Sequence, residues 1–290
     1  MKPVFLFSGD PGACAFVSTL LASHPECVRT PQFTAAYTRA ARGTLFDFGL
    51  EAPLLGSPLE APAQDASTFP AFIARLVSAY ASDHGRSEAE VWLEVVTLDQ
   101  LPLLSETFPE ASFLHLVRDG RAVAASHWQI PGEHQTMAQA SRAWNDSVNR
   151  GLAAEARLGD ERCLRIGYEL LLSDLAGGLE VLAEIIGVSP GGFRIPAPSL
   201  SRDYTSHLYG WRTRLPKHEV KRFKATSGTL LTDLGYGLES GASGLPSRPD
   251  VWAKAGHQRM KTLRDAPPGQ RRVPSKPEAG EPKTVRGRRP

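Results

Sequence analysis

Two segments of this sequence carry residue types suited to binding a phosphorylated anion. In the first, the apolar run Val4-Phe5-Leu6-Phe7 gives way to Ser8-Gly9-Asp10-Pro11-Gly12-Ala13-Cys14-Ala15 and then to a helical pattern. A glycine-bearing turn between strand and helix points successive backbone N–H groups at one spot, and the helix N-terminus adds partial positive charge. Gly9, Gly12, Ala13, Cys14 and Ala15 are therefore candidate anion-binding residues. Many strand-to-helix turns contain two glycines, so a purely structural turn is the competing reading. In the second segment, Phe113-Leu114-His115-Leu116-Val117 precedes Arg118-Asp119-Gly120-Arg121 and a helix carrying Ser126. Arg118 stands at the carboxyl end of a strand, where ligands of open α/β sheets bind. A guanidinium and a hydroxyl that converge hold a phosphate by charge-assisted hydrogen bonds. The competing reading is an Arg118–Asp119 surface pair with Ser126 facing solvent.

Three further residues have chemistry to offer. Glu94, in Trp92-Leu93-Glu94-Val95-Val96, is a candidate general base, or else a strand-end carboxylate in a structural hydrogen bond. Tyr168 is either a nucleotide neighbour or a core tyrosine. Cys14 near a helix N-terminus could be an activated thiol, but no partner histidine lies in its motif. No Gly-Lys-Ser/Thr follows the first turn, which argues against a P-loop kinase.

The elements that must position these residues alternate. Pro3–Ser8, Val91–Val96, Phe113–Val117 and Cys163–Ile166 read as strands, and the third is the kind of apolar run a sheet covered on both faces needs. Helical spacing is expected over Cys14–His24, 69–84, Leu101–Phe108, Gly120–Gln129 (with Asp119 as N-cap) and Ala138–Arg157. Leu171, Leu175, Leu179, Leu182 and Ile186 form one helical stripe, with Gly187 where a C′ glycine belongs. Pro216 opens a last helix that Gly235 ends. Strands alternating with helices argue for an α/β fold, a three-layer sandwich around a central parallel sheet.

The chain has 290 residues, 41% of them hydrophobic, and a net charge of +2. That length supports a sizeable core without disulfide staples. The three cysteines, Cys14, Cys27 and Cys163, fit no zinc spacing and suit a reducing, cytoplasmic setting. Asp10 and Pro11 end the first apolar run too early for a signal peptide, and no stretch is long enough to span a bilayer. Charge is uneven. Residues 241–290 hold twelve Lys/Arg against four Asp/Glu, and seven prolines interrupt residues 246–282. A folded domain over 1–240 followed by a basic, Pro-rich disordered tail is expected. The body is therefore net acidic, which gives no support to nucleic-acid binding.

The ordered motifs resemble the sulfotransferase family that uses 3′-phosphoadenosine-5′-phosphosulfate (PAPS). Leu20-Leu21-Ala22-Ser23-His24-Pro25-Glu26 is similar to the end of the family's first helix. Phe108-Pro109-Glu110 with Phe113–Arg121 resembles its 3′-phosphate segment. Gly167-Tyr168-Glu169-Leu170-Leu171 and Trp211-Arg212 through Leu234-Gly235-Tyr236 resemble a later strand end and the closing helix. The resemblance implies a P-loop-like nucleotide-binding sulfotransferase fold, PAPS as co-substrate, no metal, and a small-molecule or glycan acceptor with a hydroxyl or amine. It would give Arg118 and Ser126 to the 3′-phosphate, Tyr168 to the nucleotide, residues 9–15 to the 5′-phosphosulfate, and Glu94 the role of base. The acceptor would be met by variable loops within 28–70 and 129–145.

The first turn departs from the family pattern, Gly-x-Pro-Arg-Ser-Gly-Thr-Thr or a Lys equivalent. Its basic residue is missing, and Cys14 and Ala15 stand where the threonines belong. That cation neutralises charge on the leaving oxygen. Arg121, Arg212 and Arg214 are possible substitutes. A catalytically impaired nucleotide-binding or scaffold homologue is the alternative, and a transferase or hydrolase using another phosphorylated nucleotide comes third.

Overall fold

The computed structural model describes residues 1–34, 69–127, 136–194 and 208–238. Five parallel strands form one sheet: β1 (Lys2–Phe7), β2 (Cys27–Arg29), β3 (Val91–Val95), β4 (Ser112–Val117) and β5 (Cys163–Gly167). Their order is β2-β3-β1-β4-β5. Phe5 pairs with Glu94 on one side of β1 and with Phe113 on the other. The chain first builds toward β2 and β3, then reverses to β4 and β5. The reversal falls between β1 and β4, the switch point at which the carboxyl ends of such sheets open a crevice.

Side-chain alternation along β1 assigns its two faces. Val4 and Leu6 pack with α1 (Pro11–Leu21), α6 (Tyr168–Ser173) and α7 (Leu175–Ile186) in one core cluster. Phe5 and Phe7 pack on the other face with α2 (Phe69–Asp83), α3 (Leu101–Thr107) and α5 (Met137–Leu158). Both faces are covered, so the sheet is the middle layer of three. A third cluster joins α4 (Gly120–His127) and α5 to α8 (Trp211–Arg214) and α9 (Lys217–Asp233). No helix among the described residues is long and apolar enough to cross a membrane.

The structure moves several expected boundaries. Helix α1 begins at Pro11 rather than Cys14, because Asp10 caps it and Pro11 fits the first helical position. The stripe over 171–186 is two helices. The backbone at Asp174 leaves the helical region (φ −139°, ψ 72°), and its side chain accepts from Gly177 N to start α7. Gly187 is left-handed at φ 86°, as a C′ glycine should be. Pro216 is the residue before α9 rather than its first. The expected tail at 241–290, the loop over 51–68 and most of the expected acceptor loops lie outside the described residues.

Candidate donor-nucleotide site

At the carboxyl end of β1 the chain turns sharply at Gly9. A Cβ there would come within 2.4 Å of the Ser147 hydroxyl on α5, so the turn packs against that helix only as glycine. Asp10 then organises the first turn of α1. Its Oδ1 accepts from Gly12 N at 3.0 Å and from Ala13 N at 3.1 Å. Its carbonyl accepts from Cys14 N at 3.1 Å. Pro11 has no N–H to give. The first-turn donors that the sequence offers to an anion are thus each engaged by Asp10.

Arg118, just past β4, reaches the same point from the other side of the switch. Its guanidinium donates to Asp10 Oδ2 at 2.7 Å and lies over the Tyr168 ring, 4.9 Å from the centroid. Tyr168 in turn meets Phe16 of α1 edge-on at 6.2 Å. Trp144 Nε1 donates to the Arg118 carbonyl at 3.1 Å and fixes the backbone there. Burial works to lower the Arg118 pKa, but Asp10 beside it, with Glu169 and Tyr168, leaves it raised. Gly12, Ala13 and Arg118 therefore converge on one carboxylate, with Tyr168 behind the arginine. Ser126 is exposed on α4 and donates to the Val123 carbonyl at 2.7 Å.

The neighbouring charges Asp119, Arg121 and Glu169 are buried and hydrogen-bonded to one another. Asp119 pairs with Arg121 rather than Arg118: Arg121 Nε donates to Oδ1 at 2.9 Å and Nη2 to Oδ2 at 2.7 Å. Asp119 Oδ1 also accepts from Arg121 N, as an N-cap should. Arg121 has no exposed surface, donates to the Gly237 carbonyl at 2.9 Å and lies 4.3 Å over the Trp211 ring. Its guanidinium is committed to holding α4 to the segment that follows α9, so Arg121 is not a spare cation. Glu169 accepts from Asp119 N at 3.0 Å and from the Tyr236 hydroxyl at 3.0 Å. Burial, then the nearby Asp119, pushes its carboxyl up to about 7. Arg212 lies by Tyr209 and Trp211, with ring distances of 5.0 and 5.5 Å, and Arg214 is exposed.

Glu94 lies in β3 with 1% of its surface exposed. Its Oε1 accepts from Thr34 N at 2.8 Å and the Thr34 hydroxyl at 2.6 Å, and its Oε2 from Thr30 at 3.3 Å. Burial raises its carboxyl to about 7 against these hydrogen bonds. Cys14 points its side chain into the core beneath α1. Burial, then Asp10, pushes the thiol up to about 12, which argues against the activated-thiol reading. Ala15 is exposed on α1.

Sequence reasoning missed Asp10 as the partner of both segments. The signal was present, since Asp-Pro ahead of a helical pattern is an N-cap followed by an N1 proline. Its pairing with Arg118 spans 108 residues and had no local signal.

A family model described as "Sulfotransferase family" matches residues 12–190. The chain belongs to the sulfotransferase family. Among solved structures, the sulfotransferase domain of the Synechococcus PCC 7002 olefin synthase matches at 19% identity with a TM-score of 0.50, covering 79% of this chain and 94% of that one. The sulfotransferase domain from the curacin biosynthetic pathway matches at 16% identity and a TM-score of 0.49, covering 79% and 98%. A mouse sulfotransferase complexed with PAP matches at 12% identity and a TM-score of 0.45, covering 83% and 89%. The likeness to the olefin synthase domain is one of fold, and it agrees with the sulfotransferase architecture expected from the motifs.

Proposed function

We propose that the protein binds PAPS and transfers its sulfuryl group to a hydroxyl or amine of an acceptor, slowly. One observation carries this reading: the N-terminal turn of α1, the Arg118 guanidinium and the Tyr168 ring meet at the sheet's switch point. Helix amides and an arginine are suited to phosphate oxygens, and the arginine over an aromatic ring suits a nucleotide. In this reading residues 9–15 face the 5′-phosphosulfate, Arg118 and Ser126 take the 3′-phosphate, and Tyr168 borders the nucleotide. The acceptor heteroatom attacks sulfur in line. The S–O bond to the 5′-phosphate breaks, the bridging oxygen leaves with the electron pair, and a base takes the acceptor's proton. Glu94 is the proposed base, since a carboxyl with a pKa of about 7 is matched to that task at neutral pH.

Turnover is expected to be slow because the loop lacks a basic residue and Arg121 is committed elsewhere. Loss of one preorganised electrostatic donor commonly lowers a rate by about a hundred- to a thousand-fold. A second reading, a binding or scaffold member without turnover, is favoured by the carboxylate seated among the would-be anion donors. Titration with 3′-phosphoadenosine 5′-phosphate (PAP), followed by a PAPS-consumption assay over alcohols, phenols and amines, separates the readings. Binding with slow consumption supports the enzyme. Binding without consumption supports the scaffold. No binding by the folded protein removes both.

A further inference from the structure

The Asp10 carboxylate stands where an anionic ligand's oxygens would stand. Two amide donors converge on Oδ1 and a guanidinium on Oδ2, all within 3.1 Å. In the nucleotide reading the two amides are wanted by the 5′-phosphosulfate and the guanidinium by the 3′-phosphate, so one carboxylate occupies donors that two anionic groups of the ligand need. The carboxylate is buried, its main-chain carbonyl takes the next amide, and Pro11 supplies none. A ligand phosphate or sulfate cannot share these donors with Asp10, because two anions in one poorly solvated crevice repel each other strongly.

We infer that Asp10 sets the donor affinity of this protein by competing, as a tethered anion, for the α1 amides and Arg118 that the phosphorylated ligand needs. The inference rests on the nucleotide-binding reading above and specifies what opposes it. Ligand entry requires the Asp10 side chain to leave Gly12 N, Ala13 N and Arg118 together. The ligand's apparent affinity is then lowered by the fraction of molecules in which Asp10 is seated. The site is thereby tuned toward ligands that bring enough contacts elsewhere, through base and ribose, to displace it. Inorganic phosphate alone brings none.

Removing the charge without removing the helix cap separates these roles. Asn and Ser cap helices about as well as Asp. Neither carries the charge that holds Arg118. Asp10→Asn and Asp10→Ser are therefore titrated with PAP beside the unaltered protein, with thermal melts confirming that each is folded. Both variants are expected to bind PAP at least about tenfold more tightly. Combining Asp10→Asn with Arg118→Ala is expected to abolish that gain, because the arginine the variant frees is no longer there. If the unaltered protein binds PAP and both variants bind equally or more weakly, Asp10 is a cap and not a competitor. The inference then falls while the nucleotide reading stands. If none of the folded proteins binds, the nucleotide reading falls and takes the inference with it. Binding by the variants alone supports both.

Discussion

At the scale of single residues, Arg118 and Glu94 make separable predictions. Arg118→Ala removes the charge facing Asp10 and the proposed phosphate contact together. Affinity for PAP is expected to fall by about 2–4 kcal/mol, while a nucleotide lacking the 3′-phosphate is nearly indifferent. Parallel titrations of the two nucleotides check this, and equal losses would mean a structural role. Glu94 links stability to pH. Its pKa is raised in the folded state from an ordinary value of 4.5 to about 7, so the folded protein holds that proton more tightly than the unfolded chain. The stability it contributes is full below pH 4.5 and is lost as pH rises through about 7. Glu169 acts in the same direction. Glu26 and Glu155, whose pKa values are lowered, act in the opposite sense at lower pH. The thermal midpoint is therefore expected to decline from about pH 5 to about pH 8. Glu94→Gln, which imitates the neutral carboxyl among Thr30 and Thr34, is expected to flatten that decline. Melting curves at a series of pH values decide it, and an unchanged slope would remove Glu94 from the account.

At the scale of elements, the strands that line the core were legible because a sheet covered on both faces writes continuous apolar runs. Val91–Val95, Ser112–Val117 and Cys163–Gly167 differ from expectation by one residue at one end, and Lys2–Phe7 by one residue at each end. Strand β2 was not read, since Cys27–Arg29 is too short to carry a period. The stripe over 171–186 hid its break because Asp174 restarts the helix on nearly the same face, and periodicity alone does not register such a cap. For the site, the sequence located both candidate segments but not the Asp10–Arg118 pair that joins them. Helix α4 is held close by Gly120, whose missing Cβ would lie 2.4 Å from Trp144 and 2.6 Å from Phe223. Both are large rings in a filled cluster, so neither has room to yield. Gly120→Ala is expected to destabilise the protein by about 1–3 kcal/mol through overpacking. A denaturant melt measures the change, and a loss below about 0.5 kcal/mol would show that the rings move aside.

At the scale of the molecule, the three core clusters draw on described residues from Val4 to Tyr236. The basic, Pro-rich composition of residues 241–290 suggests that they add little to that core. Truncation after Ser240 is expected to leave the thermal midpoint within roughly 5 °C. A larger drop would show that the extension packs on the body.

Strand β1 is synthesised before both of the strands that flank it. It pairs through Phe5 with Glu94 and Phe113, so its neighbours exist only after the chain has been made as far as β4. Until β3 is made Val4, Phe5, Leu6 and Phe7 are an apolar strand with two open edges, and until β4 is made one edge stays open. Such segments recruit chaperones or other nascent chains, and non-local pairing of this kind slows folding. The yield of folded protein is therefore expected to fall when synthesis pauses between β3 and β4.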